Sequence, residues 1–209
     1  MADEMVLDVS SNNTITELQL HRSGAVALIA KATEGTSYQD PTYAEHRAVA
    51  RSAGVPFGSY VFLHPKSTGD EAAYYLEYAK PKPGDIQPII DCEVADGQPM
   101  SAVAARCNAC GTALEQAGFA PILYSSASFL RQLHTAEPAL KRFRVWEAQY
   151  PGNLTSWSPG VRNLREKLND GSSVVMWQWT ATDVVGGGRF DASLLLADLD
   201  SLLIGGGNL

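Results

Sequence analysis

No stretch of about 18 consecutive apolar residues occurs in the chain, so it holds no candidate membrane-spanning helix. Charge is sparse at 19% of residues, and the basic sign is the scarcer one: 16 Lys and Arg against 23 Asp and Glu give a net charge of −7. That balance lacks the basic surface that phosphate backbones and anionic lipids require, so nucleic acid and membrane insertion are excluded as partners. Cysteine is scarce as well. The three present, Cys92, Cys107 and Cys110, cannot all pair within one chain, and the set suits a reducing compartment. Cys107 and Cys110 form a Cys-x-x-Cys inside a helix-like stretch, and no second ligand pair completes a four-ligand zinc site. The opening Met-Ala-Asp-Glu-Met is acidic where a secretory leader would be basic and then apolar, so the expectation is a protein made without a signal peptide. No glycine-rich phosphate loop follows the first apolar run, which continues as Asp8-Val-Ser-Ser-Asn-Asn; an open, doubly wound nucleotide-binding sheet loses its usual signature. No linker divides the chain.

What is present is a core-forming composition, 45% hydrophobic over 209 residues, enough for one large globule. Short apolar runs recur about every 30 residues with helix-like segments between them, the pattern of repeated βα units around a mainly parallel sheet. Strands are expected at Met5 to Val9, Val26 to Ala32, Phe57 to Phe62, Gln87 to Cys92, Ala120 to Ser125, Arg144 to Ala148 and Val174 to Trp179. Helices are expected at Pro41 to Ala53, Gly69 to Ala79 and Ser101 to Ala117, each followed by glycine or proline as a stop. Between Pro151 and Ser173 the chain is rich in Gly, Asn, Ser and Pro and has little room for full helices, and Asp191 to Leu203 reads as a closing amphipathic helix. An ordinary (β/α)₈ barrel takes about 250 residues. The expected fold is therefore an α/β protein of economical design: a flattened, irregular (β/α) barrel of about eight mainly parallel strands with few late helices, spanning residues 1–204 as one domain. Gly186-Gly-Gly188 is expected to make a flexible loop, and residues 205–209 a glycine-rich tail.

The ends of the strands are loaded with polar and aromatic residues. Ile89 to Val94 reads Ile-Ile-Asp-Cys-Glu-Val, and side chains two apart on a strand share a face, which places Asp91 and Glu93 together with Cα atoms roughly 6.5 Å apart. Like charges at that range push one carboxyl pKa up, leaving one group protonated and one ionised near neutral pH. Glycoside hydrolysis uses that division of labour. Cys92, between them, faces the other way as a small buried hydrophobe. The other strand ends offer Asp8; Lys31-Ala-Thr-Glu34-Gly35; Tyr60, Phe62 and His64; Tyr124; Trp146 and Tyr150; and Trp177-Gln178-Trp179. Taken singly, Asp8 is a turn cap, Tyr60 and Tyr124 core aromatics, His64 a loop histidine before proline, and Trp177 and Trp179 packing under helices. Taken together at the carboxyl end of a parallel barrel, where catalytic groups collect, acids and aromatic faces suit a sugar, whose hydroxyls bond carboxylates while its ring stacks on Trp or Tyr.

In order and spacing these segments resemble glycoside hydrolase family 25, the Chalaropsis-type lysozymes or muramidases common among phage endolysins. The resemblance runs from Leu7 to about Leu203 through Leu7-Asp8-Val9-Ser10, Lys31-Ala-Thr-Glu34-Gly35, Gly58-Ser-Tyr60-x-Phe62, Ile90-Asp91-Cys92-Glu93, Pro121-Ile-Leu-Tyr124-Ser125, Trp146-x-Ala148-x-Tyr150, Trp177-Gln178-Trp179-Thr180 and Phe190-Asp191. It implies hydrolysis of the β-1,4 bond between N-acetylmuramic acid and N-acetylglucosamine in peptidoglycan, without cofactor or metal. By motif, Glu93 would be the general acid and Asp91 its acidic neighbour, with Asp8 and Asp191 completing four carboxylates. Glu34, Tyr60, Tyr124, Trp146 and Gln178 would line the saccharide cleft, with His64 counted among the substrate-binding residues. The chain departs from the family pattern at Val61, where a histidine usually stands and His64 comes three residues later; at Thr14-Ile-Thr-Glu-Leu18, in place of Gly-x-Ile-Asp-Trp; and at Glu147, a position usually apolar. The implied setting is a monomeric lysin made in a host cytoplasm and released onto peptidoglycan glycan strands of the wall. A non-catalytic peptidoglycan-binding or virion-associated module on the same barrel is the other reading.

Overall fold

The computed structural model describes residues 3–206 except 153, 159, 186 and 187. Its strands are β1 (Met5–Val9), β2 (Ala27–Glu34), β3 (Tyr38–Gln39), β4 (Phe57–Phe62), β5 (Ile89–Asp91), β6 (Ile122–Ser126), β7 (Arg144–Ala148), β8 (Val174–Val185) and β9 (Gly188–Leu195). All but β3 join one closed ring: β1 pairs with β2 on one edge and β9 on the other, and the remaining neighbours run β2-β4-β5-β6-β7-β8-β9. Pairing is parallel from β1 through β8 and antiparallel where β9 meets both β8 and β1. The two-residue β3 folds back on the end of β2. This is the expected flattened α/β barrel.

Strand alternation divides the apolar residues into two sets. Val6, Ile29, Ile89, Ile122, Met176 and Leu195 fill the interior, closed at the amino-terminal end by Ile86 and Leu202. Leu7, Leu28, Ile90, Leu123, Val145 and Leu194 face outward against the helices. Those helices are α1 (Glu17–Ser23), α2 (Tyr43–Ala53), α3 (Glu71–Ala79), α4 (Met100–Gln116) and α5 (Ala127–Ala136). Their ends follow local chemistry. Thr16 and Gln19 form a capping box on α1, Asp70 caps α3, and Gly24 and Gly54 take the left-handed conformation that ends α1 and α2. The departure Thr14-Ile-Thr-Glu-Leu18 is thus a helix start. Cys92, Cys107 and Cys110 are free, buried and part of the outer core.

After β7 the described residues hold no regular helix, and in the 151–173 stretch they form a 3₁₀ turn at Val161–Leu164. The expected closing helix at Asp191 to Leu203 is instead β9 followed by a 3₁₀ turn at Leu199–Leu202. Phe190, Ala192 and Leu194 join the outer core while Leu195 joins the inner one, and this two-sided burial suits a strand paired on both edges. Of the glycine run expected as a loop, residues 186 and 187 lie outside the described residues and Gly188 opens β9. Residues 205 and 206 form a turn, with the rest of the expected tail outside the described residues.

Candidate active site

The carboxyl ends of the parallel strands surround a cleft of about 210 Å³ lined by Asp8, Lys31, Tyr60, Phe62, Asp91, Glu93, Tyr124, Trp146 and Asp191, with Ser10 and Asn12 beside them. Sheet register explains the convergence. Asp8 on β1 stands directly opposite Asp191 on β9, and Asp91 on β5 lies between Phe62 of β4 and Tyr124 of β6, which in turn neighbours Trp146 of β7. Because these strands sit in one barrel, the interior positions that hold Ile29, Ile89 and Ile122 deeper down become Lys31, Asp91 and Tyr124 two residues later. The apolar plug ends there and the chemistry begins.

Four carboxylates in so small a space raise one another's proton affinity. Burial pushes Asp8 well above the ordinary carboxyl range, and Asp191 across the register pushes it further, against the opposing hydrogen bond from Gln178. Burial and then the charge of Glu93 lift Asp191 to about 6. Asp91, 6% exposed, is raised well above its usual value by burial and by Glu93. Its Oδ1 is buried with no hydrogen-bond partner among the described residues. Glu93 lies just past the end of β5 and reaches solvent, yet partial desolvation still lifts its pKa, opposed by the Lys31 ammonium. A carboxyl raised above its ordinary value and standing beside buried acidic neighbours is placed to protonate a leaving oxygen.

A buried amide organises one wall. Gln178, 1% exposed, accepts the Tyr124 hydroxyl at 2.7 Å and the Tyr150 hydroxyl at 2.6 Å on its Oε1, and donates from Nε2 to Asp8 Oδ2 at 2.9 Å. Two hydroxyl donors on the oxygen leave the NH₂ group for the carboxylate, which fixes the amide's orientation. Trp146 donates from Nε1 to Ser193 Oγ at 2.9 Å and packs against the Tyr124 ring with centroids 4.5 Å apart.

Of the residues expected at the site, Glu93, Asp91, Asp8, Asp191, Tyr60, Tyr124 and Trp146 line the cleft. Gln178 sits behind that wall as a support for Asp8. Glu34 and His64 stand beside the cleft bonded to each other, Nε2 to Oε1 at 2.7 Å, with Lys31 on the other Glu34 oxygen. Trp177 and Trp179 point outward against Trp157. Lys31 and Phe62, present among the loaded strand ends but not counted as site residues, line the cleft as well, Phe62 on the same strand face as Tyr60. Tyr150 was legible as a rim aromatic, but its bond to Gln178 was not. Glu147, at a position usually apolar, is fully buried on the outer face of β7 and pairs with Arg165 at 2.7 Å, so the departure is matched by a cation from the following loop.

A barrel with four carboxylates and stacked aromatics gathered at its carboxyl rim has the architecture of a glycoside hydrolase. The chain belongs to glycosyl hydrolases family 25, whose sequence profile matches residues 7–188. An autolytic lysozyme of Clostridium acetobutylicum is 27% identical over 128 residues, 61% of this chain and 39% of that protein, so the match spans well under half of the curated relative. Among solved structures, a bacterial lysozyme from Streptomyces coelicolor superposes with a TM-score of 0.81 at 19% identity, covering 97% of this chain and 96% of that one. A family 25 lysozyme from Aspergillus fumigatus gives a TM-score of 0.79 at 21% identity, covering 96% and 97%. At those identities the structures establish a shared fold. No helix among the described residues is long and apolar enough to cross a membrane.

Proposed function

We propose that residues 1–204 act as one catalytic muramidase domain that hydrolyses the β-1,4 bond between N-acetylmuramic acid and N-acetylglucosamine in bacterial peptidoglycan. The observation that carries this reading is the convergence of Asp8, Asp91, Glu93 and Asp191 with Tyr60, Tyr124 and Trp146 in one cleft, in a chain of family 25. Glu93 gives its proton to the glycosidic oxygen as the bond to the anomeric carbon breaks. The carbonyl oxygen of the substrate's own acetamide attacks that carbon, and the Asp91 carboxylate, which lines the cleft, accepts the amide N–H and balances its growing positive charge. Water then attacks the anomeric carbon, passes a proton to Glu93 and restores the acetamide. Substrate assistance of this kind is a recognised exception to the two-carboxylate scheme. It predicts net retention, so proton NMR of a fresh digest should show the β-anomer first, and an initial α-anomer would mean inversion.

Release of new reducing ends from purified peptidoglycan tests the activity itself. Turnover by the wild-type protein supports it, and binding without any release would leave a glycan-binding module. The resemblance also carries a finer reading, a phage endolysin released onto its host's wall. Expression inside a host bacterium checks it: lysis should occur when a membrane-permeabilising protein is co-expressed and not without one.

A further inference from the structure

Glu93 makes no side-chain hydrogen bond among the described residues, so its place in the cleft is set by the backbone that carries it. That backbone leaves the barrel at β5 and reaches α4 through a loop containing Asp96, whose φ of +51° is left-handed for a residue with a Cβ, followed by Gly97 at +73°. Side chains hold this segment on both sides of Glu93: before it, Ser125 Oγ donates to the Cys92 carbonyl at 2.6 Å, and beyond it a histidine ties the loop at Asp96. His64, which follows β4, bonds Asp96 Oδ2 through Nδ1 at 2.9 Å and Glu34 Oε1 at the end of β2 through Nε2 at 2.7 Å. Its own backbone N–H donates to Glu71 Oε1 of α3 at 2.9 Å, and Glu71 is in turn held by Arg106 of α4 at 2.7 Å. Three strand-end segments meet at a single imidazole.

Ionised carboxylates accept hydrogen bonds and cannot donate them, so a ring bonded to one on each nitrogen must carry both protons. The charges facing His64 are Glu34 and Lys31 from β2, Asp96 from the loop before α4 and Glu71 from α3, with Arg106 of α4 behind Glu71. Losing the second proton leaves a nitrogen lone pair against a carboxylate oxygen, and one of the two ties must open.

We infer that His64 is a positioning residue for the general acid: as an imidazolium between Glu34 and Asp96, it pins the loop that carries Glu93 and releases it on deprotonation. The inference rests on the muramidase reading above. The bond to Glu34, foremost, and that to Asp96 hold the ring's proton affinity above that of a free histidine. A residue that contacted sugar would act mainly on KM, whereas a pin acts on kcat, and a displacement of about 1 Å at a catalytic group can cost on the order of a hundredfold.

The test measures kcat and KM against pH on soluble peptidoglycan fragments for wild type, His64→Gln and Asp96→Asn, with amide hydrogen exchange over residues 93–98. Asparagine tolerates the left-handed backbone at 96, so that variant keeps the loop's local conformation. We expect His64→Gln to lower kcat about tenfold with KM within about twofold, and its 93–98 amides to exchange faster. In Asp96→Asn the fall in kcat with rising pH should begin at lower pH than in wild type, because the ring has lost one anionic partner. A rise in KM with kcat preserved, an Asp96→Asn profile superimposed on wild type, or unchanged exchange would each overturn the inference. If the wild-type protein cleaves no fragment, the muramidase reading fails, and exchange in His64→Gln alone then judges the pin.

Discussion

The four carboxylates are not equivalent, and their environments assign them different work. Asp8 and Asp191 face each other across the register, with Asp8 tied back to Gln178; Asp91 is buried with an acceptor to spare; Glu93 reaches the cleft mouth without a side-chain hydrogen bond among the described residues. Replacing Glu93 with Gln keeps the volume and removes the transferable proton, so activity should fall about 10²- to 10⁴-fold with an unchanged melting temperature. A folded variant retaining a third of wild-type turnover would take Glu93 out of that role. Asp191 makes a second prediction. Its pKa rises from 3.8 to about 6 on folding, so the folded state holds that proton more tightly than the unfolded chain does. The associated stability is fully present below 3.8 and is lost as pH climbs through about 6. Melting curves across that window should show stability declining with pH in the wild type, and Asp191→Asn should flatten the decline. Asp8, Asp91 and Glu93 were legible at the ends of expected strands, whereas Asp191 was legible only through the resemblance, because the sequence alone put it at the start of a helix. The duties of Gln178 and His64 were not legible, since their partners lie on other strands and only closure of the barrel brings them near.

At the level of the elements, βα units announced themselves where apolar runs alternated with capped helices, up to α4. The last strand did not. Phe190-Asp-Ala-Ser-Leu-Leu-Leu-Ala places apolar residues at spacings that satisfy a helical period as well as a strand's. Tertiary pairing decides for the strand, because β1 and β8 each present an open edge that β9 closes. On α4 the packing is tight enough to predict an unusual penalty. A Cβ on Gly111 would fall 2.2 Å from Phe143 Cζ, so Gly111→Ala, which helps an exposed helix, should here destabilise the protein by about 1–3 kcal/mol. Urea unfolding reads that difference directly, and an unchanged or raised midpoint would show that Phe143 moves aside freely. The Cys-x-x-Cys of the same helix faces the outer core rather than the rim, so the Cys107→Ser, Cys110→Ser double variant should lose stability and keep its kcat.

For the whole molecule, ring closure creates the site. The parallel strands alone bring Asp8, Asp91 and Glu93 to one end, and the antiparallel return of β9 adds Asp191 directly opposite Asp8. The economy of 209 residues comes from the stretch after β7, where the described residues form a hairpin and 3₁₀ turns in place of helices. Charge balance, the absence of a phosphate loop and the acid-aromatic rim together narrowed the chemistry before any contact was visible. The bond cleaved is the central claim, and it is read most directly by mass spectrometry of borohydride-reduced products from a digest of purified peptidoglycan. Cleavage by this site should leave muramic acid at every new reducing end; glucosamine at those ends, or intact glycan strands, would contradict it.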